Sequence, residues 1–219
     1  MKLISLNPVV DQDACNGCVI CSSVCPTLAI SLVDRKAVVK EEDCRGCGAC
    51  DQRCPVYAIS MHKLAAPYTV GVAVGDVPYE KIEALCLKAN LNPQQLICYC
   101  TATRAEEVAA AILKGATSPE ELSKQTGIRT GCKVECIEPA LRLLQAAGIT
   151  PERPAGWQWY GLTPTVWTIP EEVKAKYGSR GFYFEEDIEL FKKVAAAKST
   201  PSSAKTALNG DPAPERSDA

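Results

Sequence analysis

The chain has 219 residues with 24 basic and 26 acidic side chains, a net charge of −2. It carries no charge excess that would recruit nucleic acid or an anionic membrane surface. No apolar run approaches the roughly 18 residues that begin to span a bilayer, and Met1 to Asp13 lacks the apolar stretch of a secretory leader. The expectation is a soluble cytoplasmic protein. Twelve of its 13 cysteines fall into tight groups, and cytosolic cysteines so grouped read as metal ligands rather than disulfides.

Residues 1–64 contain an internal repeat. A shift of 29 residues carries Cys15, Cys18, Cys21 and Cys25 onto Cys44, Cys47, Cys50 and Cys54. The same shift carries Val9-Val10 onto Val38-Val39, Pro26 onto Pro55, and Ala29-Ile30-Ser31 onto Ala58-Ile59-Ser60. Each half reads as short strand, cysteine loop, short helix, short strand. Three cysteines at two-residue intervals can wrap one loop around a single cube, with amides aimed at its sulfurs. Gly17, Gly46 and Gly48 suit such close backbone approach. The fourth cysteine, followed by proline, sits on the turn that leaves the loop. Zinc prefers isolated sites of paired C-x2-C type, and two interleaved C-x2-C-x2-C-x3-C-P runs are not that pattern.

Over residues 5–64 the sequence resembles the clostridial-type 2[4Fe–4S] ferredoxins. The resemblance rests on the eight cysteines, Pro26, Pro55 and the 18 residues between Cys25 and Cys44. It implies an α+β fold of βαββαβ order, two [4Fe–4S] clusters and low-potential one-electron transfer. In two-cluster ferredoxins the fourth cysteine of each run ligates the other cluster. One cluster is therefore expected on Cys15, Cys18, Cys21 and Cys54, the other on Cys44, Cys47, Cys50 and Cys25. The crossing would tie the halves together in a module that has no Trp or Phe and one Tyr, Tyr57.

Residues 65–97 read as a connector. It holds a short apolar stretch, Val70 to Val74, and an amphipathic helix from Tyr79 to Asn90. Cys86 lies on that helix in an apolar setting and reads as a buried small hydrophobe. His62, the only histidine, is expected to serve on the surface or in packing. Residues 98–148 read as a small helical domain. Thr103 to Glu106 resembles a capping box that opens a helix closed by Gly115. Ser118-Pro119 opens a second helix that Gly127 stops, and a third runs from near Cys136 to Ala147.

The third cysteine group is Cys98-Tyr99-Cys100 and, after 31 residues, Cys132-x3-Cys136. Thiolates at helix N-termini are stabilised by the dipole and by free amides. Here the chain resembles the bacterioferritin-associated-ferredoxin type of [2Fe–2S] domain, on the C-x-C pair, the helices between, Gly131-Cys132 and the closing helix. The resemblance implies that Cys98, Cys100, Cys132 and Cys136 bind one [2Fe–2S] cluster. The x3 interval departs from the family's usual x2 and shifts the last ligand along its helix. Such domains recur with flavin-dependent dehydrogenases, oxidases and nitrite reductases, which suggests a partner enzyme by analogy.

Residues 149–192 hold all three Trp and all three Phe. They read as an extended aromatic arm that docks on another subunit, the alternative being that it wraps over its own chain and completes the packing there, followed by a disordered tail over 193–219. No nucleotide-binding glycine motif is present, and one histidine leaves little material for a catalytic triad, so no catalytic site is expected. The reading is an iron–sulfur electron-transfer subunit of a larger oxidoreductase, flavin- or metal-containing and anaerobic. The alternatives are a free diffusible ferredoxin-type carrier and an iron- or cluster-handling module.

Overall fold

The computed structural model describes residues 2–152, 161 and 164–201. Its first part runs β1 (Lys2–Val10), α1 (Ile20–Val24), β2 (Ile30–Val33), β3 (Lys36–Val39), α2 (Ala49–Arg53) and β4 (Ile59–Val70). β1 pairs antiparallel with β4, Val10 opposite Ile59 and Lys2 opposite Val70. β2 and β3 form a hairpin whose turn, Asp34-Arg35, has positive φ at both residues, the twist that suits a two-residue connection. β4 continues six residues past position 64, where the sequence reading sets the module's edge.

The repeat extends to backbone conformation. Gly17 and Gly46, Val19 and Gly48, and Leu28 and Tyr57 are three pairs at the repeat spacing, and all six have positive φ. Gly48 takes this conformation freely, whereas β-branched Val19 takes it under strain. The core of this part is small: Cys21, Cys25 and Cys50 pack with Ala29, Ile30 and Ile59. Thiols stand where a larger domain would place Leu or Phe.

The second part is built of α3 (Tyr79–Lys88), the hairpin β5 (Leu96–Cys98) and β6 (Thr103–Arg104), then α4 (Ala105–Leu113), α5 (Pro119–Thr126) and α6 (Ile137–Ala146). Its core is larger and apolar, with Ile82, Leu91, Val108, Leu122, Leu143 and Leu144 fully buried. Val74 and α3, assigned to the connector by sequence, belong to this core. Cys86 is fully buried there. α4 starts one residue later than its sequence signal suggests: the Arg104 amide donates to Glu107 Oε1 at 3.1 Å, so Glu107 fills the role expected of Glu106. Glu106 is instead buried, with Arg104 at 3.6 Å.

Beyond residue 163 the expected extended arm is helical in its described part. α7 (Glu171–Tyr177) and α8 (Phe184–Ala195) each carry acids in the first turn and lysines in the last. That charge order complements the helix dipole. Trp157 and Trp159 lie outside the described residues. Trp167 packs 5.7 Å from the Phe191 ring, with the Arg142 guanidinium 5.2 Å from its centroid. The start of the expected tail is seated on the helical part: Asn92 Nδ2 donates to the Ala197 carbonyl at 2.9 Å and Gln94 Nε2 to that of Thr200 at 2.6 Å. Residues 202–219 lie outside the described residues. Among the described residues no helix is long and apolar enough to cross a membrane.

The two parts are bonded to each other. Lys124 meets Asp43 at 3.1 Å, Arg45 Nε donates to the Lys124 carbonyl at 2.7 Å, and Lys2 Nζ donates to Thr130 Oγ1 at 2.6 Å.

Candidate metal centres

The two cysteine loops of the first part meet around two cavities. Cys15, Cys18 and Cys21 line one together with Cys54 from the second run. Cys44, Cys47 and Cys50 line the other together with Cys25 from the first run. Each grouping contains three thiols from one repeat and the fourth from its twin. The arrangement follows from the local chain. α1 and α2 are only one turn long and lie against each other, and Cys25 and Cys54 are their C-caps.

Backbone amides point at these sulfurs. Ala29 N donates to Cys25 Sγ at 3.3 Å, and its repeat counterpart Ala58 N donates to Cys54 Sγ at 3.3 Å. Gly46 N lies 3.4 Å from Cys44 Sγ. At Gly46 a Cβ would stand 2.7 Å from the Leu6 carbonyl oxygen, and at Gly17 it would strike that of Arg35. The loops are therefore pressed onto the β2–β3 turn and onto β1 more closely than a side chain permits.

The donor set suits iron–sulfur clusters. Each cavity offers four thiols and surrounding amide donors, and soft thiolates select zinc or iron–sulfur centres. Among the described residues no group of three or more His, Cys, Asp or Glu side chains is placed to hold a single metal ion. Burial pushes the Cys50 thiol up to about 12 and raises those of Cys21 and Cys44. Iron binding at these positions must displace protons, which couples cluster assembly to proton release.

The third group assembles from two loops. Cys98 ends β5 and is buried, while Cys100 lies in the hairpin turn and is exposed. Cys136 is the N-cap of α6 and is buried; Cys132 lies in the loop before it and is exposed. Cys132 N donates to Cys100 Sγ at 3.3 Å. A hydrogen bond with the Cys136 thiol holds Cys98 well below the usual thiol range and pushes Cys136 up. The amides of Glu135 and Val134 hold Cys132 low. A Cβ at Gly131 would stand 2.7 Å from Cys100 Sγ, so only glycine lets the two loops close. The four thiols thus gather as a buried pair beside an exposed pair, with sulfur-only donors and amides around them. That set fits a [2Fe–2S] cluster, whose oxidised form needs four thiolates.

Sequence reasoning did not anticipate Arg129. Its amide donates to Cys136 Sγ at 3.2 Å, and its guanidinium pairs with Glu120 at 2.8 Å, both side chains buried. No spacing rule flags an arginine whose partners come from another helix and from a backbone turn. His62 is exposed on β4, with Nε2 2.9 Å from Ser60 Oγ.

The sites define an iron–sulfur protein. Family models place a 4Fe-4S dicluster domain over residues 7–55 and a BFD-like [2Fe-2S] binding domain over residues 96–146, and both support a role in electron transfer. Among curated proteins and solved structures, none matches the chain.

Proposed function

We propose that the chain relays single electrons through two [4Fe–4S] clusters and one [2Fe–2S] cluster, as the iron–sulfur subunit of a larger oxidoreductase with a flavin- or metal-containing partner. One [4Fe–4S] cluster would be held by Cys15, Cys18, Cys21 and Cys54, the other by Cys44, Cys47, Cys50 and Cys25. Cys98, Cys100, Cys132 and Cys136 would hold the [2Fe–2S] cluster. The observation that carries this reading is the sorting of eight cysteines into two crossed sets of four around separate cavities.

When bound, the clusters supply reversible one-electron redox chemistry. The chain's own residues hold them, exclude water from their buried faces and aim amides at their sulfurs, which tunes potential. The exposed Cys100 and Cys132 give the third centre a face toward solvent or a partner. A partner is suggested by exposed apolar side chains on the arm. Phe182, Tyr183, Leu190 and Val194 are all about half exposed or more, although α8 also rests on its own chain.

Native purification with identification of co-purifying subunits tests the assignment to a complex. A larger redox subunit should accompany the full chain and be lost or weakened on deletion of residues 150–219. Undiminished co-purification after that deletion would remove the docking role of the arm. Monomeric behaviour in native extract would favour a diffusible carrier.

A further inference from the structure

We propose that the third cysteine group exchanges electrons directly with the cluster held by Cys25, Cys44, Cys47 and Cys50, across a bridge made by Lys133 and Arg129, so that the Cys15 set is the far terminus of the relay. This rests on the cluster assignment above and adds an order to it.

The loop that carries the third centre crosses to the first part at Cys25. Lys133 follows Cys132 directly, and its Nζ donates to the Val24 carbonyl at 2.9 Å. Val24 precedes Cys25. Arg129, whose amide donates to Cys136 Sγ at 3.2 Å, places Nη1 3.5 Å from the Pro26 carbonyl. Pro26 follows Cys25. Two short routes therefore leave cysteines of the third group and arrive on either side of one cysteine of the second set.

A second observation leads to the same pair without depending on crossed ligation. Cys47 of the first part and Cys132 of the second both line one cleft, with Ala49, Gly131 and Lys133. The cation of this cleft sits between the two groups: Lys133 follows Cys132 in the chain, and its Nζ is seated on the carbonyl of the residue before Cys25. The Cys15 set has its own lysine elsewhere: Lys36 Nζ donates to the Cys15 carbonyl at 2.7 Å.

The step is a one-electron exchange. One centre is oxidised by one electron as its neighbour is reduced by one, and no bond or proton changes place. A fixed cation beside two centres stabilises their reduced, more negative forms and raises both potentials.

Redox titration of the purified full-length chain, followed by EPR, tests the order with Lys133→Met, Lys133→Arg and Lys36→Met. Lys133→Met should lower the potentials of the [2Fe–2S] centre and of one [4Fe–4S] centre, by about a threefold change in electron partition or about 30 mV for a one-electron couple. Lys133→Arg should restore them. Lys36→Met should lower the other [4Fe–4S] centre alone. Adjacency is overturned if Lys133→Met moves neither [4Fe–4S] potential, or moves the one that Lys36→Met moves. If Lys133→Met fails to fold, the unaltered chain carries the test. Its [2Fe–2S] signal should relax faster once the neighbouring [4Fe–4S] centre is reduced, and an unchanged signal through full reduction of both would overturn the proposal. Fewer than three cluster signals in the unaltered chain would instead defeat the cluster assignment on which the order depends.

Discussion

Arg129 occupies a point where stability and cofactor chemistry meet. Its buried ion pair with Glu120 spans nine residues of sequence, and its amide reaches the Cys136 sulfur. Breaking a buried pair leaves the surviving charge uncompensated, whereas replacing both partners by apolar groups is often neutral. Arg129→Met should therefore cost about 3–5 kcal/mol, measured by chemical denaturation, and adding Glu120→Met should recover much of that loss. Cys86 has a different consequence. Burial, with Glu106 and Glu83 nearby, raises its thiol from 9.0 to about 12. Between those pH values the unfolded chain releases the proton and the folded chain keeps it. The contribution is fully present below pH 9 and is lost as pH rises toward 12, at up to about 1.4 kcal/mol per pH unit. The thermal midpoint should fall less steeply above pH 9 in Cys86→Ala than in the unaltered protein. At this scale the twelve grouped cysteines were legible because their spacing is local. Arg129 was not, because its partners are set by tertiary approach.

Helix ends show both how far local signals reach and where they fail. Ser118 accepts from the Glu121 amide at 3.2 Å, Pro119 opens α5 and Gly127 closes it in the left-handed conformation, as the sequence suggests. Ser118→Ala should cost about 1 kcal/mol in denaturant unfolding. α4 differs by one residue, because burial of Glu106 leaves Glu107 to cap the Arg104 amide. The arm differs from its expected extended form because Glu171, Glu172, Lys174 and Lys176 follow the charge order of a helix. The 29-residue repeat, by contrast, was visible in the cysteines and reappears in three pairs of positive φ values, since both halves must bend the same loop around the same kind of body.

The whole molecule joins two parts that hold themselves together differently. Residues 2–70 have a core of cysteines, alanines and isoleucines, whereas the helical part buries Leu, Ile and Val throughout. A core that small leaves the first part dependent on its clusters. Removing iron with a chelator under oxidising conditions should therefore speed hydrogen exchange across β1 and β4, while amides in α4 and α6 stay protected. Equal loss of protection in both parts would show that the helical core also depends on iron. The join between the parts, through Lys2, Arg45 and Lys124, was not readable from sequence, because each contact pairs residues about 80 or more positions apart.

Iron and acid-labile sulfide analysis of the anaerobically purified full-length protein, with EPR of the reduced form, measures directly whether one chain holds three clusters. Three clusters require about ten iron atoms per chain, with two [4Fe–4S] signals and one [2Fe–2S] signal. A single [4Fe–4S] signal, or zinc in place of iron at the Cys98–Cys136 group, would contradict them.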